Sequence, residues 1–367
     1  MKPLVRWLDS QYSRHSHLVM TTADRREGFA IFGGFRARHR FGALYLPGPA
    51  ASLRTRLIVH RPETAEDCRR LLGRFGLVVF CGDSAPREIA PDLLPVPLSL
   101  DMEMPTPEVL EGPGAPWGRS AKSNISRIRR GQFAFDVATD EAAVTEFHRR
   151  MYLPSMRGRH DAEAYLGRRR ILLKFLREPG GELLRVFQNG QSVGGTLNQH
   201  MTDGYRLLVV GWLNGDDRFF RAGVVAATYW FSFQRAMALG LHRILLGGVA
   251  PHLEDGILRY KSHWGARFSS RSRDLGSFHL LLDPSHPVCH RFLQAYSTIV
   301  KAPGGELVVF SGRTPAETTA SADVLKGIAR WYLWREQPLA APEVLADEVP
   351  RSLRPWVTAL EPRAPSP

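Results

Sequence analysis

The sequence predicts an α/β protein built on mixed sheets, with helices on the sheet faces, in two domains. Three observations carry this. The 367 residues exceed a typical single domain, while 44% hydrophobic and 23% charged residues are ordinary globular values. Short runs of β-forming residues alternate with helical periods along most of the chain. Finally, the hairpin dipeptide Asn189-Gly190 joins two of those runs, and an antiparallel hairpin within a helix–strand alternation makes a mixed sheet, not a doubly wound one.

At the N-terminal side, residues 17–22, 29–35 and 43–46 are apolar runs rich in β-formers and punctuated by glycine. Residues 62–76 read as a helix whose acidic first turn and basic last turn suit the macrodipole. Residues 77–81 follow as a buried strand. The proline-rich passage 91–116 then marks a domain crossing.

Residues 116–131 form a helix with Pro at its start and Gly just past its end. Trp117, Ala121, Ile125 and Ile128 share one face, and Arg119, Lys122, Arg127, Arg129 and Arg130 leave much of the rest positive. That surface is either a solvated basic face or a grip on phosphate. Asp140 caps a helix that turns Val144, Phe147 and Met151 inward and that Pro154 stops. A further helix spans 162–176.

Strands 182–188 and 192–200 pair across Asn189-Gly190, and a third strand, 205–213, ends at Asn214-Gly215. A helix over 221–239 closes at Gly240 and is followed by strand 242–246. A helix over 255–264 and strands 266–272 and 277–282 complete the unit. Beyond it a helix over 322–335 precedes a proline-rich tail from Pro338, expected to be disordered or loosely docked. There is one faint internal echo: residues 76–82 and 240–247 are each a strand entered from a helix through a glycine. A duplicated fold produces such an echo, and so does chance.

Composition narrows the function classes. Arg6, Asp9 and Arg14 break any apolar run at the start, and the weakly charged stretch 222–234 is too short to span a bilayer. No membrane span and a cytoplasmic location are therefore expected. Cys68, Cys81 and Cys289 form no CxxC or CxxH pattern, so they are expected to be buried packing residues. No spacing of His, Cys and carboxylates suggests a metal. The net charge of +13 points to polyanionic partners such as phosphates, CoA or tRNA. Arginine supplies 43 of the 49 basic residues (49 less six lysines), a bias that a GC-rich genome also produces.

Several phrases together resemble the GNAT acyltransferase fold, and more closely its FemAB-type branch with CelD-like relatives. They are Ser120-Ala-Lys-Ser-Asn-Ile-Ser-Arg-Ile-Arg-Arg-Gly131, Tyr152-Leu-Pro154, Gly194-Gly195, Gly211, and Asp255-Gly256 with Tyr260-Lys261 and Trp264-Gly265-Ala266. The resemblance covers roughly residues 117–283. It implies tandem GNAT-like folds, the C-terminal one better preserved: a degenerate one over 1–108, the acyltransferase domain over 109–290, and a C-terminal helix and tail over 291–367. It also implies transfer of an acyl or aminoacyl group to the amine of a small molecule or peptide. Acyl-CoA is the expected co-substrate, aminoacyl-tRNA the alternative, and no tightly bound cofactor is expected. Oligomeric state leaves no mark in the sequence.

In GNAT folds the donor's pantetheine and pyrophosphate lie where two parallel strands splay, against the N-terminus of the following helix. The resemblance places that site at Arg218, Arg221 and Gly223. The chain departs from the family pattern there, with Phe220 where Arg or Gln is usual and Val225 in place of the last small residue. Acyl transfer needs stabilisation of a tetrahedral oxyanion and protonation of the leaving group. The resemblance assigns that work to Lys261, four residues before Gly265, with Tyr260 as alternate. Asp255 is either a carboxylate near the acceptor amine or the cap of its own helix. Arg127 and Arg130 are candidates for substrate phosphate. His200 and His263 are expected to be structural, and Gly33-Gly34 and Gly194-Gly195 are strand glycines, not a phosphate loop. The competing function is a catalytically inactive GNAT-like fold that binds RNA or a protein.

Overall fold

A computed structural model describes residues 17–22, 28–32, 53–58, 62–81, 85–112, 114–159, 168–271, 275–318, 320, 322–340, 345 and 348–361. Strands β1 (His17–Thr22), β2 (Gly28–Phe32) and β3 (Leu53–Ile58) lead to helix α1 (Ala65–Phe75) and β4 (Leu77–Cys81). Next come β5 (Leu94–Pro97), β6 (Leu100–Pro105), α2 (Arg119–Arg130), β7 (Ala134–Ala138) and α3 (Glu141–Phe147). A π-helical turn, His148–Tyr152, joins α3 to α4 (Leu153–Arg159), and α5 is Arg169–Arg177. Then follow β8 (Gly181–Gln188), β9 (Gln191–Met201), β10 (Gly204–Trp212), α6 (Asp217–Ala222), α7 (Val224–Ala238) and β11 (Arg243–Val249). After α8 (Gly256–Ser262) come β12 (Arg267–Phe268), β13 (Ser277–Leu282), α9 (Pro287–Ala295), β14 (Thr298–Lys301) and β15 (Leu307–Ser311). The chain closes with α10 (Ala322–Leu325), β16 (Arg330–Trp334) and β17 (Val357–Leu360).

The chain divides into two compact units, each drawn from separate stretches: residues 1–100, 250–259 and 273–367 in one, 101–249 and 260–272 in the other. The first holds a mixed six-stranded sheet, β3-β1-β2-β4-β13-β5, and a four-stranded sheet, β14-β15-β16-β17. One apolar cluster of Ile31, Val79, Leu280, Phe310 and Tyr332 joins the two sheets of this unit. Helix α1 covers the other face of the larger sheet, packing Cys68 and Phe75 against Phe32 and Phe80. Its start is a capping box in which Thr64 and Asp67 satisfy each other's backbone N–H, and Gly76 at φ 69° ends it.

The second unit is a seven-stranded sheet ordered β12-β6-β11-β10-β9-β8-β7. Strands β7 to β10 are antiparallel, and β10 runs parallel to β11. That parallel pairing holds only at Tyr205↔Ile244 and Arg206↔Leu245. Beyond it β10 carries a bulge between Leu207 and Val209, and β11 turns at Gly247 with φ 74°. The two strands thus lose their ladder toward their C-terminal ends. Helix α7, the crossover between them, is buried almost all round, from Val224 and Ala227 to Phe233 and Ala236.

The mixed α/β class stands, and one plan recurs in both units. In each, an antiparallel pair (β1–β2; β9–β10) is connected by a crossover (through β3 and α1; through α6 and α7) to a parallel third strand (β4; β11). The echo at Gly76 and Gly240 marks those two third strands.

Several expected elements are corrected. Pro154 does not stop a helix: the π turn before it widens the coil, and the proline sits in the first turn of α4, where its missing N–H is not required. The expected helix over 221–239 is two helices broken at Gly223. The helix expected over 322–335 is four residues of helix and then strand β16, because Trp331 to Trp334 are strand-formers buried in the middle of a sheet. The tail is not loose throughout, since β17 pairs with β16 from Trp331↔Leu360 to Trp334↔Val357. The proline-rich crossing holds strands β5 and β6; β5 pairs only with β13 at a sheet edge, where proline costs no ladder bond. Strand 43–46 and Gly33-Gly34 lie outside the described residues, as do 160–167 at the start of the helix expected over 162–176. All three cysteines are buried, and none is in a disulfide. No helix of the described residues is long and apolar enough to cross a membrane.

Candidate functional site

Helix α7 begins where the backbone swings through Gly223 at φ 102°, a left-handed value that suits glycine. No side chain caps its first turn, so its leading N–H groups and the positive end of its dipole are open to a ligand. A cleft of about 260 Å³ lies there, lined by Asn124, Arg127, Phe220, Arg221, Gly223, Val225, Ala226 and Tyr260.

Helix α2 supplies Arg127. Its apolar face buries Ala121, Ile125 and Ile128, while Trp117 packs at 5.6–6.0 Å on Trp230, Phe233 and Trp264. That packing turns Asn124 and Arg127, three residues apart, toward the cleft. The stem of Arg127 lies over Gly223, where a Cβ would stand 2.9 Å from its Cδ. The close approach made by Gly223 is therefore to an arginine. Neither Arg127 nor Arg221 is ion-paired with a carboxylate among the described residues, so both charges face the cleft uncompensated.

Tyr260 enters from α8. Its ring meets Tyr229 edge-on at 5.3 Å, and its buried hydroxyl makes no well-formed hydrogen bond among the described residues, only a weaker approach from the Trp264 indole N–H. Burial pushes its phenol up to about 12, while the Trp264 indole N–H and the Arg127 guanidinium pull the other way. Burial raises the Tyr229 phenol as well.

Lys261 is the next residue but lies outside the cleft lining. It is 4% exposed, and its Nζ donates to the carbonyls of Gly247 (3.0 Å) and Gly248 (2.9 Å) at the end of β11. This burial separates it from a lysine that merely extends into solvent. Asp255 caps α8: Oδ1 accepts from Ile257 N–H at 3.0 Å, and Oδ2 from Leu258 N–H at 3.3 Å and Ala250 N–H at 2.9 Å. Arg218 is exposed, pairs with Asp216 at 3.1 Å and lies over the Phe219 ring. Arg130 is exposed and, like Arg218, His200 and His263, contributes nothing to the cleft. Of the expected site residues, the cleft thus unites Arg127, Arg221, Gly223 and Tyr260.

Two features left no signal in the sequence. At the end of β10 the buried Ser155 Oγ accepts from Trp212 N–H (2.9 Å) and donates to Trp212 C=O (3.0 Å). Beneath α7, Arg235 bonds Glu182 at 2.9–3.3 Å, Tyr205 donates to Glu182 at 2.7 Å, Asn198 donates to Tyr205 at 2.8 Å, and Thr196 donates to Asn198 at 2.9 Å. Every member of that buried chain has a partner, which makes it a fastener of β8, β9 and β10 to α7.

No protein-family model and no curated protein sequence matches the chain. Among solved structures it is similar to L-PGS from Bacillus licheniformis, at 10% identity and a TM-score of 0.37, over 72% of this chain and 83% of that one. It is also similar to the C-terminal DUF2156 domain of a putative lysylphosphatidylglycerol synthetase from Agrobacterium fabrum (10%, TM-score 0.35, 72% and 83% covered). A GCN5-related N-acetyltransferase from Sphaerobacter thermophilus is a third (13%, TM-score 0.32, 72% and 76% covered). At these scores the likeness assigns no activity to the chain.

Proposed function

We propose that this protein is an N-acyltransferase, moving an acyl or aminoacyl group from a phosphate-bearing donor to the amine of a small molecule or peptide. One juxtaposition supports the reading above all: a buried phenol shares a cleft with the uncapped end of a helix and with two arginines that have no carboxylate partner among the described residues. The arginines and the helix end suit the donor's phosphates. The phenol, raised to about 12, stays protonated near neutrality and so serves as an acid.

In the proposed step the amine nitrogen attacks the donor's carbonyl carbon, a C–N bond forms, and the C–S or C–O bond to the carrier breaks. Tyr260 gives its phenolic proton to the departing sulfur or oxygen. The proton lost by the attacking nitrogen returns to the phenolate, so the products are an amide and the protonated carrier. Lys261 acts as a positioning residue: its two bonds tie α8 to the end of β11 and so fix the helix that carries Tyr260.

The test is melting of the full chain with and without CoA and bulk tRNA, followed by amide formation with the donor that binds. A ligand held by the native state alone raises the midpoint. A shift with one ligand and an amide product are expected. No shift with either would remove the donor reading. Binding of RNA with no transfer to any amine would favour the inactive RNA-binding fold instead, for which the degenerate Phe220 and Val225 positions speak.

A further inference from the structure

A second cleft opens at the other end of the same sheet, where β10 and β11 begin. It holds about 390 Å³, a volume that suits a small ligand, and its charged lining is Glu103, Asp203, Arg243, Arg267 and Arg271, with His242 beside them. Strand β10 runs from here toward the first cleft. Its nine residues span about 26 Å (eight steps of 3.3 Å), and the last, Trp212, meets Phe220 of that cleft at 5.4 Å. The two clefts are therefore separate sites.

The strand starts bring these side chains together. Asp203 sits in the turn before β10, and His242 and Arg243 stand at the entry to β11. Gly204 lets the Arg243 stem lie close, since a Cβ there would stand 2.9 Å from its Cγ. The guanidinium is then held on both sides: Nε donates to the Asp203 carbonyl at 2.8 Å, Nη1 to Glu103 Oε2 at 3.3 Å, and Nη2 to Asp203 Oδ2. Ser269 Oγ donates to Glu103 Oε2 at 2.7 Å, and Arg271 donates to Asp203 Oδ2 at 3.1 Å. Each carboxylate thus uses one oxygen only. Oε1 of Glu103 and Oδ1 of Asp203 accept from no donor among the described residues.

The positive side of the lining is open as well. Arg243 is neutralised by its two carboxylates, and Arg271 shares one of them. The exposed Arg267 guanidinium and the exposed His242 ring make no ion pair or hydrogen bond among the described residues. Open positions of both signs therefore share one cleft. A plain anion would meet Arg267 but face two carboxylates, and a plain amine would face three arginines. A ligand with both an ammonium and an acid group is complementary to the whole lining. Glu103 is 13% exposed, so its bond to an ammonium is little screened by water.

We propose that this cleft binds a small zwitterion, an α-amino acid being the simplest, with its ammonium on Glu103 and Asp203 and its carboxylate on Arg267. The site stands whether or not the protein transfers acyl groups. Melting of the full-length protein with each common L-amino acid at millimolar concentration tests it, because a ligand held by the folded state raises the midpoint. At least one amino acid is expected to do so. Its N-acetyl form, which lacks the ammonium, and its amide, which lacks the carboxylate, are expected not to. Calorimetry with that amino acid should show binding about 10-fold or more weaker in Arg267→Ala, the loss expected for a bond between charged groups. The Arg267 side chain bonds to nothing among the described residues, so its removal leaves the fold in place. Arg127→Ala, in the other cleft, should bind as the wild type does. If no amino acid raises the midpoint, the proposal fails. A shift from the N-acetyl form equal to that of the free amino acid would make this an anion site and overturn the zwitterion. Binding kept within about 2-fold in Arg267→Ala, or lost in Arg127→Ala, would place the ligand elsewhere and overturn it too.

Discussion

Tyr260→Phe removes one buried oxygen atom that makes no well-formed hydrogen bond among the described residues, so it separates chemistry from stability. Deleting such a hydroxyl costs no well-formed hydrogen bond, and the melting temperature should stay level or rise. Turnover of a bound donor should fall about 100-fold or more, the usual scale for losing a general acid. Lys261→Ala should do the reverse, lowering stability by about 1–3 kcal/mol as two carbonyls lose a charged donor; urea melts measure it. Counting back from Gly265 puts Lys261 first and Tyr260 second, but spacing carries no direction. Adjacent helical side chains point about 100° apart, so only one of the two can face the cleft, and tertiary packing chooses Tyr260.

A third residue, Glu254, tests pH. Burial pushes its carboxyl up, but bonds from His252 and Ser297 N–H and the charge of Arg313 outweigh that, leaving it below its ordinary 4.5. A depressed folded value gives stability that is present above about 4.5 and lost as pH falls through the folded value. Acid melts of the wild type should therefore steepen below about pH 4.5, and Glu254→Gln should flatten that loss.

Among elements, the junction of α6 and α7 is the most informative. Gly223→Ala combines a left-handed backbone with a crowded arginine stem, so it should cost about 1–3 kcal/mol and displace Arg127, weakening phosphate-ligand binding measured by calorimetry. Elements with strong local signals were legible: α1 with its acidic first turn and basic last turn, the hairpin of β8 and β9 across Asn189-Gly190, and the apolar face of α2. Where context outweighs local preference, the sequence misleads. Trp331 to Trp334 carry no period that separates helix from strand, and only pairing with β15 and β17 makes them one. Prolines hid β5 for the same reason, since an edge position cannot be read locally. The bond of Ser155 to the Trp212 backbone is beyond local reading altogether, because its partner lies 57 residues away.

On the scale of the whole molecule, strand membership does not follow chain order. Strand β6 precedes α2 in the chain yet belongs to the seven-stranded sheet, while β13 follows β12 and belongs to the six-stranded one. A fragment of residues 109–290 therefore lacks the strand between β11 and β12, and it should show no cooperative melt by circular dichroism where the full chain does. The same exchange sets a timetable during synthesis. Strand β4 has been synthesised by residue 81, but β13, which covers one of its edges, is complete only at residue 282, about 200 residues later. At roughly 5–20 residues per second, the nascent chain carries that open edge for about 10–40 s. Yield in the cell should accordingly depend on factors that shield unpaired strands on emerging chains, more than the stability of the finished protein would suggest.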